Sequence, residues 1–295
     1  MGLHTIFNNG RILSEEEMFK TVPAIFAVGA HESRSEKFRP IPTIEVLRAL
    51  AKEGFMPVSA QQQGARREDR REFGKHLVRM RRFDDNAKNL QVGDTTAEFV
   101  LMNANDGTSV YNLKGGLFRV ACLNGMVCEL PGSEFVKVRH SLNDPSPRAI
   151  IDNVIEGTYR VLTNIDTMLD APRNWSKVEL TAPQTMQLAN RAHRMFFRDV
   201  DGVVRTAVKP EQLLHVKREA DRGNDMWRVF NRIQEWLLKG GIESVSYSDT
   251  SRWGKVETRS RTHPINAIDR NVKVNTSLFD IGRRFYEEVM VLEDA

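Results

Sequence analysis

Lys75-His76-Leu77-Val78-Arg79-Met80-Arg81-Arg82-Phe83, then Ala97-Glu98-Phe99-Val100-Leu101-Met102-Asn103, then Ser109-Val110-Tyr111-Asn112-Leu113: these three runs decide the fold. Side chains of a strand alternate between two faces. In the first run His76, Val78, Met80 and Arg82 therefore share one face, and Leu77, Arg79, Arg81 and Phe83 the other. Neither face is cleanly apolar. The second run is a better strand, and Asn105-Asp106-Gly107 before the third supplies the residues a tight hairpin needs. After Gly115-Gly116, the apolar residues Leu117, Val120 and Ala121 have helical spacing, and Asn124-Gly125 is a stop. The expectation is a β-β-β-α core, an α+β fold built on an antiparallel sheet.

Upstream, Ser14-Glu15-Glu16-Glu17 is a capping-box pattern for a short helix, and Pro23 to Gly29 reads as a strand. Residues 1–40 are otherwise an irregular segment. A helix is expected over Ile44 to Glu53, with Thr43 as N-cap and Gly54 at its C-terminal stop, followed by a strand from Phe55 to Gln61. Residues 41–146 form a mixed α/β region with a basic sheet, closing on a strand over Phe135 to His140.

Residues 147–295 read as mainly helical, packed with the preceding region as one domain. Ile150, Ile151, Val154, Ile155, Val161, Leu162, Ile165, Met168 and Leu169 trace a long amphipathic helix. Further helices are expected from Thr181, with a capping box through Gln184, to Phe197; from Pro210 to Glu219; from Asp225 to Lys239; and from about Asn275 to Leu292. Ser244 to His263 is a loop or hairpin.

Charge is the most informative functional signal. The chain carries a net +4, yet residues 64–82 hold eight cations against three acids, more than the whole excess. Arg66, Arg67, Arg70, Arg71, Lys75, Arg79, Arg81 and Arg82 could track a phosphate backbone, with Phe73 or Phe83 as a ring for a base to stack on. The plainer reading is a solvated edge protected by arginines. Gly115-Gly116 and Asn124-Gly125 could cradle phosphate, flanked by Lys114 and Arg119, although turn and cap duty is simpler. Arg252, Trp253, Lys255, Arg259 and Arg261 make a second basic, aromatic-bearing stretch.

No reaction motif stands out. The seven histidines are scattered without metal-ligand spacing, although His76, beside Lys75, and His140, beside Arg139, could reach phosphate or support a base. Asp84, Asp85, Asp94, Glu98 and Asp106 show no pairing that singles out a Mg²⁺ site and read as loop acids. No catalytic residue, metal or cofactor is expected, and a binding role is preferred to an enzymatic one. Cys122 and Cys128 are expected as reduced thiols. Met1-Gly2-Leu3-His4-Thr5 carries no secretory pattern and no apolar run nears the ~20 residues of a membrane span, so a cytoplasmic protein without a membrane partner is expected.

Three segments, Phe73 to Arg79, Asn105 to Ser109 and Gly116 to Val127, resemble the phage/plasmid-like family catalogued as domain of unknown function 932. Val138-Arg139-His140 and Asn231 to Glu235 extend the resemblance over roughly residues 40–290. It implies a phage or plasmid setting and DNA metabolism. At the level of architecture alone, the arrangement is similar to the Rad52-like single-strand annealing proteins. The functional expectation is a single-stranded DNA binding or annealing protein, homo-oligomeric, acting in recombination or replication. The alternatives are an anti-restriction or anti-defence protein with a host protein partner, and a metal-dependent nuclease.

Overall fold

The computed structural model describes residues 3–7, 11–65, 67–83, 95–119, 126–127, 136–140, 146–163, 165–198, 201–204, 206–249 and 255–293. Arg66, Asp84, Asp85, Asp94, Cys122, Cys128, Arg252 and Trp253 lie outside these residues. The chain divides into two compact units, residues 1–169 with 266–269, and residues 170–265 with 270–295. Both helices and strands are present, and the sheet of the first unit is antiparallel throughout, as an α+β fold requires.

Among the described residues, seven strands build that sheet: β1 (Leu3–Phe7), β2 (Phe55–Gln63), β3 (His76–Arg82), β4 (Thr95–Asn103), β5 (Tyr111–Arg119), β6 (Met126–Val127) and β7 (Val136–Val138). The first five follow one another as a meander, and β6 and β7 both pair with β5. β5 runs without a break through Gly115 and Gly116 to Arg119. Leu117 is thus a strand residue facing Ala97, and the expected helix does not begin there. Glycines have no side chain to favour a helix, and cross-strand hydrogen bonding along β4 decides the local state. The remainder of that expected helix, residues 120–125, lies outside the described residues.

Val78, Met80, Phe99, Leu101, Leu113 and Phe55 share one face of the sheet and are all buried, with His76 and Asn103 beside them and Arg82 exposed at its end. Helices α1 (Glu15–Thr21), α2 (Thr43–Lys52) and α3 (Pro147–Thr163) pack onto this unit, α2 against β2 and α3 against β5. Ser14 caps α1 with the reciprocal box its sequence announces. Pro23 to Phe26 is a 3-10 helix rather than a strand: Gln62, from β2, uses its side-chain oxygen to accept the Ala24 N–H. Thr43 is the first helical residue, and Pro42 holds the cap position. Its hydroxyl is taken up in the core instead, 2.8 Å from His76 Nε2 and accepting from Asn103 Nδ2 at 3.0 Å. His76 Nδ1 donates to the Gly74 carbonyl, so Nε2 accepts the Thr43 O–H. Burial pushes the pKa of this imidazole down to about 4.

The second unit is helical: α4 (Ile165–Trp175) crosses its boundary, then come α5 (Ala182–Phe197), α6 (Met226–Lys239) and most of α7 (Ile268–Glu293). The expected helix over 210–219 is two short 3-10 turns, Pro210–Leu214 and Glu219–Asp221. The segment from Ser244 resolves as a hairpin of β8 (Glu243–Asp249) and β9 (Lys255–Arg261). α6 is its central element, almost wholly buried and capped by Asp225, with Gly240 ending it at φ +63°. Trp175 sits against Trp227, Phe230 and Phe279 at ring separations of 5.2–6.1 Å. Gly282 of α7 leaves the space for it: a Cβ there would fall 2.5 Å from the Trp175 ring.

Candidate nucleic-acid interface

The basic stretch is not one surface. The structure sorts its cations into three places. Arg79 and Arg81 point to the second face of the sheet with Glu98, and all three are buried, at 2%, 4% and 1% exposure. Arg79 Nε donates to Glu98 Oε2 at 2.7 Å and Arg81 Nε to Glu98 Oε1 at 2.9 Å. Phe7 of β1 lies under the Arg79 guanidinium at 5.5 Å. Charges taken out of water must be paired, and one carboxylate serves two guanidinium groups here. Glu98 is thus no loop acid: it stands in β4 at the centre of this network. Lys114 is on the same sheet face, half-buried in β5.

Arg82 is exposed at the far end of β3, with Phe83 half-buried beside it. A strand rises about 3.3 Å per residue, so Arg82 is roughly 20 Å from Lys75 along β3. Arg119 ends β5, and its side chain lies outside the described residues.

The third group, Arg67, Arg70 and Lys75, lines a cleft of about 450 Å³. Gln63 at the end of β2, Gly64 just past it, Gly74, Asp106, Thr108, Ala267 and Asp269 also line it. A 3-10 helix, Glu68–Phe73, turns the chain from β2 into β3 and presents Arg67 and Arg70 to this space. The 104–108 turn is fixed from within. Asp106 Oδ1 accepts from the Thr108 N–H at 2.9 Å and its hydroxyl at 2.6 Å, and Asp106 N–H donates to the Phe73 carbonyl. Gly107, at φ +78°, occupies the left-handed region and lets Arg34 pack onto it; a Cβ there would meet Arg34 Nη1 at 2.6 Å. Lys75 is neutralised by Asp269. Arg71 is exposed just outside, 3.7 Å from Glu68.

Beside the cleft, Phe73 is half-buried with its ring edge-on to His31 at 5.7 Å. His31 Nε2 is 3.3 Å from Asp69 Oδ2, and Arg67 Nη2 is 3.0 Å from the same oxygen. Partial desolvation pushes the Asp69 carboxyl up, but hydrogen bonds from His31 and the Arg67 charge outweigh it and hold the group below the usual carboxylate range. His31, Glu32 and Asp69 are the group of three among the described residues whose ligand atoms converge within 4.8 Å. The Ser33 N–H and hydroxyl both approach Nδ1, and Nε2 donates to Asp69, so no ring lone pair is left for an ion. The sequence offered no cue to this cluster, because His31 and Asp69 are 38 residues apart. His140, the other histidine singled out, stacks on Phe38 at 4.6 Å and fastens that loop by donating from Nδ1 to the Arg39 carbonyl at 2.9 Å.

Comparison with known proteins places these observations in a family. The model of the family described as "Domain of unknown function (DUF932)" matches residues 30–279. The chain belongs to the DUF932 family. It is 36% identical to the UPF0380 protein YafZ of Escherichia coli K12 over 278 residues, covering 94% of this chain and 93% of that protein. It is 35% identical to the UPF0380 protein YfjQ of the same organism, with the same coverage. No solved structure matches. The DUF932 match spans all the residues that line the cleft. Among the described residues, no helix of this DUF932 chain is long and apolar enough to cross a membrane.

Proposed function

We propose that this chain binds single-stranded nucleic acid, with Arg67 and Arg70 as the phosphate-contacting residues. The observation that carries this reading is the cleft itself: two guanidinium groups and Lys75 converge on one concave site wide enough for a nucleotide's phosphate and sugar. Asp269 pairs with Lys75 and Asp69 with Arg67, and Asp106 has one oxygen on Thr108, so a strand would draw on Arg70 and compete with Asp69 for Arg67. Arg71, exposed on the same 3-10 helix, and Arg34 across the turn extend the positive rim. A single strand threads such a site more readily than a duplex, because its backbone bends to bring successive phosphates to clustered cations.

The proposal keeps the annealing role in recombination or replication, a phage or plasmid setting, and a homo-oligomer, in which copies of the cleft would repeat along one strand. The test is fluorescence anisotropy with a labelled oligothymidine at low and moderate salt. Arg67→Ala with Arg70→Ala should weaken binding, and an unchanged melting transition would show that the chain stays folded; Arg67 is exposed and Arg70 half-buried. Wild-type protein that shows no anisotropy change at low salt would end this reading. Native mass measurement with the oligonucleotide tests the oligomer separately.

A second reading, binding to a host protein as an anti-restriction or anti-defence factor, is favoured by one observation. Phe19 and Val28 are 58% and 74% exposed, and Phe19 meets Phe26 edge-on, forming an apolar surface on the first unit. Phe19→Ser would weaken such an interaction and leave oligonucleotide binding unchanged.

A further inference from the structure

We infer that Ser33, His31 and Asp69 form a nucleophilic relay that attacks phosphate esters. The three side chains stand in series. Asp69 Oδ2 is 3.3 Å from His31 Nε2, and His31 Nδ1 is 2.8 Å from Ser33 Oγ. The backbone N–H of Ser33 donates to Nδ1 at 3.2 Å, which leaves the ring proton on Nε2, directed at the carboxylate. In this tautomer His31 accepts the Ser33 hydroxyl proton at Nδ1, while Asp69 steadies the imidazolium that forms. A relay of this kind is recognised by roles and geometry, not by residue order or by which ring nitrogen faces the nucleophile.

The setting fits a reacting group. His31 is buried at 3% exposure, with its ring held by Phe73 and its backbone N–H bound to the Asn105 carbonyl, so the base is fixed. Ser33 is exposed, so the nucleophile can be reached. Arg34 donates to Ser33 Oγ from Nη2 at 3.2 Å and Nε at 3.4 Å, which stabilises developing negative charge there. Arg67 holds the Asp69 end. Two guanidinium groups flank the relay, and that charge selects a substrate whose reacting centre is anionic, a phosphate ester rather than a neutral acyl ester. The relay shares Arg67 and Arg34 with the nucleic-acid reading but does not need a strand: a small phosphate ester would serve.

In the step, Ser33 Oγ forms a bond to phosphorus as the bond from phosphorus to the ester oxygen breaks. The hydroxyl proton passes to His31 Nδ1, while the leaving alkoxide, in line on the far side of phosphorus, takes its proton from water. The hydroxide so formed attacks the phosphoserine from that side, and His31 returns its proton to Ser33 Oγ as that bond to phosphorus breaks, so the net change is hydrolysis of one ester bond.

The test uses the whole chain with a fluorophosphonate probe and peptide mass spectrometry. Ser33 should be phosphonylated in folded protein and not in protein unfolded by urea. His31→Gln and Asp69→Asn should each slow labelling by about a hundredfold or more, the usual worth of a general base. Ser33→Ala, a change at an exposed hydroxyl, should abolish it with the melting transition kept. Turnover of p-nitrophenyl phosphate and its bis ester should persist in EDTA. Unlabelled Ser33 in folded protein, equal labelling in His31→Gln, or turnover abolished by EDTA would each overturn the inference. Oligonucleotide binding, measured separately, stands or falls on Arg67 and Arg70.

Discussion

Arg79 Nε and Glu98 Oε2 lie 2.7 Å apart on neighbouring strands, and both side chains are closed off from water. The pair, completed by Arg81, turns two cations of the basic stretch into parts of the sheet. Removing one member strands the others. Glu98→Gln should lower unfolding free energy by about 3–5 kcal/mol, because two buried guanidinium groups lose their shared counter-charge. Urea or guanidinium unfolding curves check this. Replacing Arg79, Glu98 and Arg81 together with Met, Leu and Met should recover most of the loss.

Substituting Arg79 and Arg81 is therefore a poor probe of nucleic-acid binding. Arg67→Ala and Arg70→Ala act on the cleft instead. If these two arginines neutralise two phosphates, the slope of log affinity against log salt should flatten by about 1.4 in the double variant. Titrations at several salt concentrations read this directly.

His76 gives a pH signature. Its folded pKa is down at about 4, while in the unfolded chain it returns to the ordinary value of 6.5. Between those values the unfolded chain binds the proton and the folded chain does not, so stability rises with pH. The contribution is complete above pH 6.5 and falls by about 3 kcal/mol as pH drops toward 4. Stability curves at pH 7 and pH 4.5 should differ in this direction, and His76→Gln should flatten the part of the difference this residue supplies.

Gly282 decides the packing of the second unit. Alanine normally improves a helix interior by about 1 kcal/mol relative to glycine. Here its methyl would fall 2.5 Å and 2.9 Å from two atoms of the Trp175 ring, which is itself buried among other rings. The clash should win, and Gly282→Ala should destabilise by about 1–3 kcal/mol. Tryptophan fluorescence during thermal unfolding would report it, and a stabilised variant would contradict the packing described.

A smaller effect is expected at the turn beside the cleft. Gly107→Ala must hold φ +78° and displace Arg34. A loss of about 1–2 kcal/mol should accompany it. If Arg34 supports Ser33, labelling by a fluorophosphonate should slow in this variant as well.

The sequence by itself determined the elements whose signals are local. The capping boxes at Ser14 and Thr181 and the hairpin residues at 105–107 act within a few positions of where they stand, so they were legible. Strand patterning likewise marked β3, β4 and the first part of β5, as far as Leu113. Only the tertiary structure decided what the arginines do. A run of charged residues on a strand has the same pattern whether it faces water or a buried carboxylate, and Glu98 meets Arg79 only because β4 pairs with β3 in that register. The same reason hid His31, Ser33 and Asp69: chain spacing carries no record of a loop folding onto a 3-10 helix 38 residues away. Pairing register and loop closure are long-range events, and they divided the basic stretch between an internal network and an open cleft.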